Sequence, residues 1–187
     1  DALCEGVHFL REAISARQLG DKALAVNLSD VASMGVRPVA VLLSLSIPQE
    51  LPTEWVVELM EGFTALANLH GVALIGGDTT RSQSGLVINI TAIGRGKTIH
   101  LKRRNAARVG DWILVSDRLG ASAAGLRDVL QGRYDTPLAA IHHHPTAEIE
   151  AGVWLGSRTE VHAMMDLSDG LASDLKHILK ASSVGAE

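Results

Sequence analysis

Apolar residues recur at helical spacing over 21–34, with Ala23, Leu24, Val26, Leu28, Val31 and Met34 in the pattern and Gly35 placed to end it. The segment predicts a helix. Pro38 opens and Pro48 closes a β-rich run, Val39 to Leu45, that reads as a buried strand. After Pro52, a stripe of Trp55, Val56, Leu59, Met60, Phe63, Leu66 and Ala67 predicts a second helix, with Gly71 at its C′ position. Val72 to Ile75 and Leu86 to Ile93 predict two more strands, so helices and strands interleave before residue 95. Further on, Trp112–Ser116 and Val161–Met165 predict strands. Gly120–Leu126 predicts the close-packed start of a helix, Ala147–Leu155 another helix, and Leu171, Leu175, Ile178 and Leu179 the stripe of the last one.

The composition narrows the class without naming it. The 187 residues are 47% hydrophobic and 20% charged, enough to bury a core in one large domain or two small ones. A net charge of −4 and an aromatic share of 3% argue against nucleic acid as a partner and for a small molecule. Cys4 is the single cysteine, so no internal disulfide or thiolate zinc site forms, and the reducing cytoplasm is the expected compartment. No apolar run reaches the roughly 18 uncharged residues of a membrane helix, which sets the membrane aside. The chain starts at Asp1 and its last helical pattern stops soon after Ser183 with no closing strand, so it reads as an internal piece of a longer protein.

Acidic residues cluster where strand-like runs end: Asp1 before Ala2-Leu3-Cys4, Asp78 in Gly76-Gly77-Asp78-Thr79-Thr80, and Asp166 and Asp169 in Asp166-Leu167-Ser168-Asp169-Gly170. Carboxylates at the mouth of a sheet can hold a hard cation, and neighbouring glycines let a phosphate approach the backbone. Together these parts describe a magnesium-nucleotide site, although Gly-Gly-Asp is also common turn chemistry. Asp30 sits three residues from Asn27 on an apolar helix and therefore needs a cation, a donor array or solvent, or else caps a neighbouring turn. Ser168 or Asp169 is positioned to cap the last helix. The basic stretch Gly94–Gly110 reads as an interdomain connection facing an anionic ligand, or as a solvated linker. His8 either orients a substrate or lies in the core, and His142-His143-His144-Pro145 reads as a surface turn.

Five segments, 1–9, 22–30, 34–38, 76–82 and 166–171, resemble the thiamine-monophosphate kinase family in residues, order and spacing, and Glu5-Gly6-Val7-His8-Phe9 is the run that separates it from other ATP-using members of its superfamily. The resemblance implies ATP-dependent phosphorylation of thiamine monophosphate to thiamine diphosphate. It implies magnesium at Asp1, Asp30, Asp78, Asp166 and Asp169, nucleotide contacts at Gly77, Arg104 and Ser168, catalysis through Asp78 and Arg104, and a thiamine-phosphate contact at His8. The fold it implies is α+β: an N-terminal mixed-sheet domain (1–105) pairing into a dimeric barrel in a homodimer, followed by a truncated α/β C-terminal domain (106–187). Two alternatives stand beside it: another ATP-using relative such as a hydrogenase-maturation protein, or a nucleotide-binding and dimerisation module without catalysis. The family's upstream acidic glycine-rich motif and later substrate-contacting residues are absent from this sequence, and Asn105 and Ala106 replace a usual Ser and Gly.

Overall fold

The computed structural model describes all of residues 1–187 as a mixed α+β chain. Its one sheet has four strands, β1 (Ala2–Cys4), β2 (Arg37–Pro48), β3 (Ala73–Ser82) and β4 (Val87–Arg95), in the order β1-β4-β2-β3. The helix α2 (Thr53–His70) crosses between β2 and β3, which makes that pair parallel, whereas β4 runs antiparallel to β1 and β2. Strand alternation decides which face is covered. Val41, Leu43 and Leu45 of β2 and Ile88 and Ile90 of β4 join Leu19, Leu24 and Leu28 of α1 (Ala16–Ser33) and Leu59 and Phe63 of α2 in the main core. The opposite face stays open: Asn89, Thr91 and Ile93 are exposed, as is every residue of β3 before Ser82.

α1 starts at a capping box, Ser15 with Gln18, several residues ahead of its apolar pattern. It meets α2 backbone to backbone. A Cβ on Gly20 would stand 1.9 Å from the Leu59 carbonyl oxygen, and one on Gly62 would stand 1.9 Å from that of Arg17. Close approach of this kind demands glycine on both helices.

Four expectations need correction. The run Gly76-Gly77-Asp78-Thr79-Thr80 is not a turn but the middle of β3, paired with β2 as far as Pro48 and Ser82. Gly77 keeps the ladder going at a φ of +155°, where a Cβ would lie 1.7 Å from the Leu43 carbonyl oxygen. Trp112–Ser116 and Val161–Met165 are not strands: neither makes a backbone-to-backbone hydrogen bond, and Trp112 is 88% exposed. A strand exists only with a neighbour, so an apolar β-prone run records a tendency that here meets no partner. Both runs instead line an apolar cavity of about 340 Å³ with α5 (Ile149–Gly156) and α6 (Leu171–Ser182).

The histidine run is not a surface turn either. Thr136 caps α4 (Pro137–His143), which pairs with α3 (Ala121–Leu130), and His142 and His143 form its last turn. His143 is 5% exposed with no partner for either ring nitrogen. Lys22, buried on α1, lies 3.3 Å from His142 Nε2, and Ser122 Oγ of α3 lies 3.1 Å from Nδ1. A charged lysine has only protons to give, so Nε2 accepts and Nδ1–H donates to Ser122. Burial holds Lys22 down to about 8. Burial, then the charge of Lys22, holds His142 down to about 4.

Gly20→Ala should cost about 1–3 kcal/mol in denaturant unfolding, the usual penalty for overpacking. His142 takes up its proton near pH 6.5 in the unfolded chain but only near pH 4 when folded. The unfolded state therefore binds more protons between those values, and stability falls as pH falls through that window. Lys22 and His143 oppose that proton, and Asp21 stands 3.8 Å from the adjacent His144. Thermal midpoints of His142→Gln between pH 7 and 4 should show a shallower decline than those of the parent.

Candidate functional site

β1 pairs only with Val87 to Asn89, so the β4 edge beyond it is free and Asp1 sits there. The Ile90 N–H donates to the Asp1 carbonyl oxygen at 2.8 Å. The Asp1 nitrogen lies 2.7 Å from Asn27 Oδ1 and 2.9 Å from the Ile90 carbonyl oxygen. Asn27 is 2% exposed and satisfied at both ends, since its Nδ2 donates to the Ala23 carbonyl at 2.8 Å. One helical turn further on, Asp30 joins Asp1, Asn27, Asn89 and Thr91 around an open cavity of about 390 Å³.

Asp30 also meets Asp166. Burial first, then the charge of Asp166 and a hydrogen bond to it, push the Asp30 carboxyl up to about 6, while Arg104 pulls the other way. Two carboxyl groups in contact hold one proton comfortably and two negative charges poorly. Ser168 Oγ donates to Asp166 Oδ2 at 2.7 Å. The turn beneath is held by Asp174, 4% exposed, whose Oδ2 accepts the N–H groups of Ser168 (2.9 Å) and Asp169 (3.0 Å). The N-cap of α6 is thus Gly170, not Ser168 or Asp169.

Ser182 secures the other side. Its hydroxyl donates to the Arg104 carbonyl at 2.7 Å and accepts from Ala107 N at 3.1 Å, so the end of α6 anchors the loop that carries Arg104. Lys102 in that basic stretch is buried and donates to the Arg158 carbonyl at 2.6 Å, which removes it from any anion site. Neither Asp174 nor Ser182 stands out in the sequence reading. An acid in the first turn behind a glycine cap was a usable signal for Asp174; Ser182 offered none.

Other expected residues stay apart. Asp78 lies in register with Ser44 of β2 and, through it, Asn89 of β4, two strand spacings or roughly 10 Å away. It alternates onto the open face, whereas α1 brings Asp30 from the covered side, and its Oδ1 accepts the Thr79 N–H at 2.8 Å. Gly77 sits beside it. Asp169 is exposed, and no hydrogen bond or ion pair engages its carboxylate. His8 is exposed and accepts from Cys4 N at 3.0 Å, closing the turn that Glu5 fastens to the Leu86 N–H (2.8 Å) and Arg11 (3.0 Å). One chain therefore assembles Asp1, Asp30, Asp166, Ser168 and Arg104. No three His, Cys, Asp or Glu side chains close on a common point. A pair of carboxylates beside an open cavity nevertheless suits magnesium, which takes one or two protein carboxylates and completes its shell with water and phosphate oxygens.

Residues 1–96 match the family model described as AIR synthase related protein, N-terminal domain. Over 194 residues the chain is 42% identical to the thiamine-monophosphate kinase of Salmonella typhimurium, covering 100% of this chain and 57% of that one. The crystal structure of thiamine monophosphate kinase from Aquifex aeolicus superposes with a TM-score of 0.89 at 33% identity, over 97% of this chain and 62% of that one. A structure of AaThiL complexed with AMPPCP and TMP gives a TM-score of 0.90 at 34% identity, over 98% and 59%. The chain thus spans less than two thirds of the length of these relatives.

Removing one charge of the abutting pair should stabilise the metal-free protein. Asp30→Asn is expected to raise the thermal midpoint at pH 8 without divalent ions; added magnesium is expected to raise the midpoint of the parent and not that of the variant, both read by differential scanning fluorimetry.

Proposed function

Because the chain belongs to the family of AIR synthase related proteins, we propose that the protein transfers the γ-phosphoryl group of ATP to thiamine monophosphate, giving thiamine diphosphate. The observation that carries the reading is Asp30, which lines an open cavity with Asp1 and also meets the carboxyl of Asp166, with Arg104 near enough to temper their charge. Relatives named thiamine-monophosphate kinase, and a similar fold with AMPPCP and TMP bound, support the choice of substrates.

Asp1, Asp30 and Asp166 would hold magnesium, with Asp169 available to a further ion. When bound, the metal supplies charge neutralisation between the two polyanions. Arg104 contributes a fixed positive charge for the phosphoryl group in transfer. Ser168 and Gly77 contact the nucleotide, and His8 the thiamine phosphate. The acceptor is a phosphate oxyanion, already nucleophilic, so no strong general base is required and positioning carries the rate. We place the domain boundary near residue 105.

Asp78 enters this scheme through a homodimer. The outer edge of β3 is unpaired, and Leu74, Ile75 and Ile93 are exposed, a surface suited to a second copy and to closing the two sheets into a barrel. Asp78 of one copy then serves the Asp30 of the other.

Incubated with magnesium, ATP and thiamine monophosphate, the full-length protein should form ADP and thiamine diphosphate in equal amounts; ADP released only with a different acceptor overturns the reading. Arg104→Ala should lower kcat/KM at least ~100-fold, the scale of one lost charge-stabilising group. Asp30→Asn and Asp78→Asn should each be inactive alone. Co-refolded, they should recover about a quarter of parental activity if the two carboxylates meet across a two-fold axis, and nothing if both act within one chain.

A further inference from the structure

Asp174 is a buried carboxylate that no step above uses. At 4% exposure it sits in the first turn of α6, and a charge there requires donors. Its donors are the N–H groups of Ser168 and Asp169, both taken by the single oxygen Oδ2. The geometry has a direct chemical consequence for the turn. N–H groups in the loop ahead of a helix favour an anion when they turn outward. Here two of those N–H groups point inward at Asp174, so the turn offers its surroundings oxygen: the Ser168 hydroxyl, which lies 2.7 Å from Asp166 Oδ2, and the exposed Asp169 carboxylate.

We propose that Asp174 is the positioning residue that converts the 166–169 turn from an anion-facing to a cation-facing loop, acting through Ser168 and Asp166 and touching neither substrate nor metal itself. The inference deepens the magnesium-dependent phosphotransfer reading and rests on it for its link to turnover. The readout below concerns divalent-ion binding and backbone protection, which stand apart from any reaction.

The experiment uses the full-length protein and Mn²⁺ alone as probe, counted by electron paramagnetic resonance. Asp174→Ala should weaken Mn²⁺ binding 10–100-fold, the usual loss when a partner that orients a metal ligand is removed. Asp174→Asn, whose amide oxygen can accept both N–H groups without charge, should stay within about 3-fold of the parent. Asp174→Glu keeps the charge but displaces the acceptor, so it should resemble Asp174→Ala and substitutes for it if the alanine variant does not fold. Amide exchange at Ser168 and Asp169 should be fast in the Ala and Glu variants and slow in the Asn variant. In turnover, the loss should fall on the metal and ATP dependence, with KM for thiamine monophosphate unchanged. Equal weakening by Asn and Ala would assign the effect to charge and overturn positioning, as would unaltered Mn²⁺ binding in Asp174→Ala. A parent that binds Mn²⁺ as described but makes no thiamine diphosphate would reject the reaction and leave the role of Asp174 in place.

Discussion

The contact between α1 and α2 at Gly20 and Gly62 governs where the chemistry lies. With both helix backbones in touch, α1 can neither roll nor slide without driving a carbonyl oxygen into a neighbour. Ten residues further along the same helix, about 15 Å at the helical rise, stands Asp30. The helix thus acts as a rigid spacer that delivers Asn27 and Asp30 to the free edge of β4. Nearly every other face of α1 is spent on packing, against the sheet, α2 and α5. This is why a helix with little amphipathic contrast forms the centre of the structure.

Electrostatics then distinguishes the end of α1 from its middle. At the end, Asp30 and Asp166 repel each other with Arg104 in partial opposition. In the middle, Lys22 and His142 crowd positive charge into an interior that holds both in their neutral forms more readily than usual. The first strain is the one that the proposed divalent cation would relieve. The second is met inside the chain, by Ser122 and by a neutral imidazole. The same helix therefore carries a pair of opposed carboxyl groups at one end, with Asp30 on an open cavity, and a largely neutral polar group in its middle.

The legibility of all this in the sequence varied with the range of the interaction involved. α1, α2 and the interior strands followed from apolar period, and Asp30 was conspicuous because a carboxylate broke an apolar face. Gly76-Gly77 misled, since a glycine pair signals a turn locally while the contact that requires Gly77 is with Leu43 on another strand. Trp112–Ser116 misled for the converse reason: its composition suits a sheet, but pairing is a property of two segments. Thr136-Pro137 marks the start of α4, but three adjacent histidines have the polarity of a surface turn although one of them is buried. Around the candidate site, charged residues such as Asp30, Asp166 and Arg104 are visible in the sequence, whereas Asp174 and Ser182, which hold the neighbouring loops from behind, are not.

The outer margin of β3 has one more implication. Ten residues long, it ends the sheet with its hydrogen-bonding groups unclaimed, and Asp78 and Arg81 are its only charged side chains. Such a border is a template for any extended polypeptide that reaches it. Newly made copies at high density would therefore be captured by one another in the wrong alignment, and recovery from an overloaded expression host would be limited by that misassembly more than by the speed at which each molecule folds.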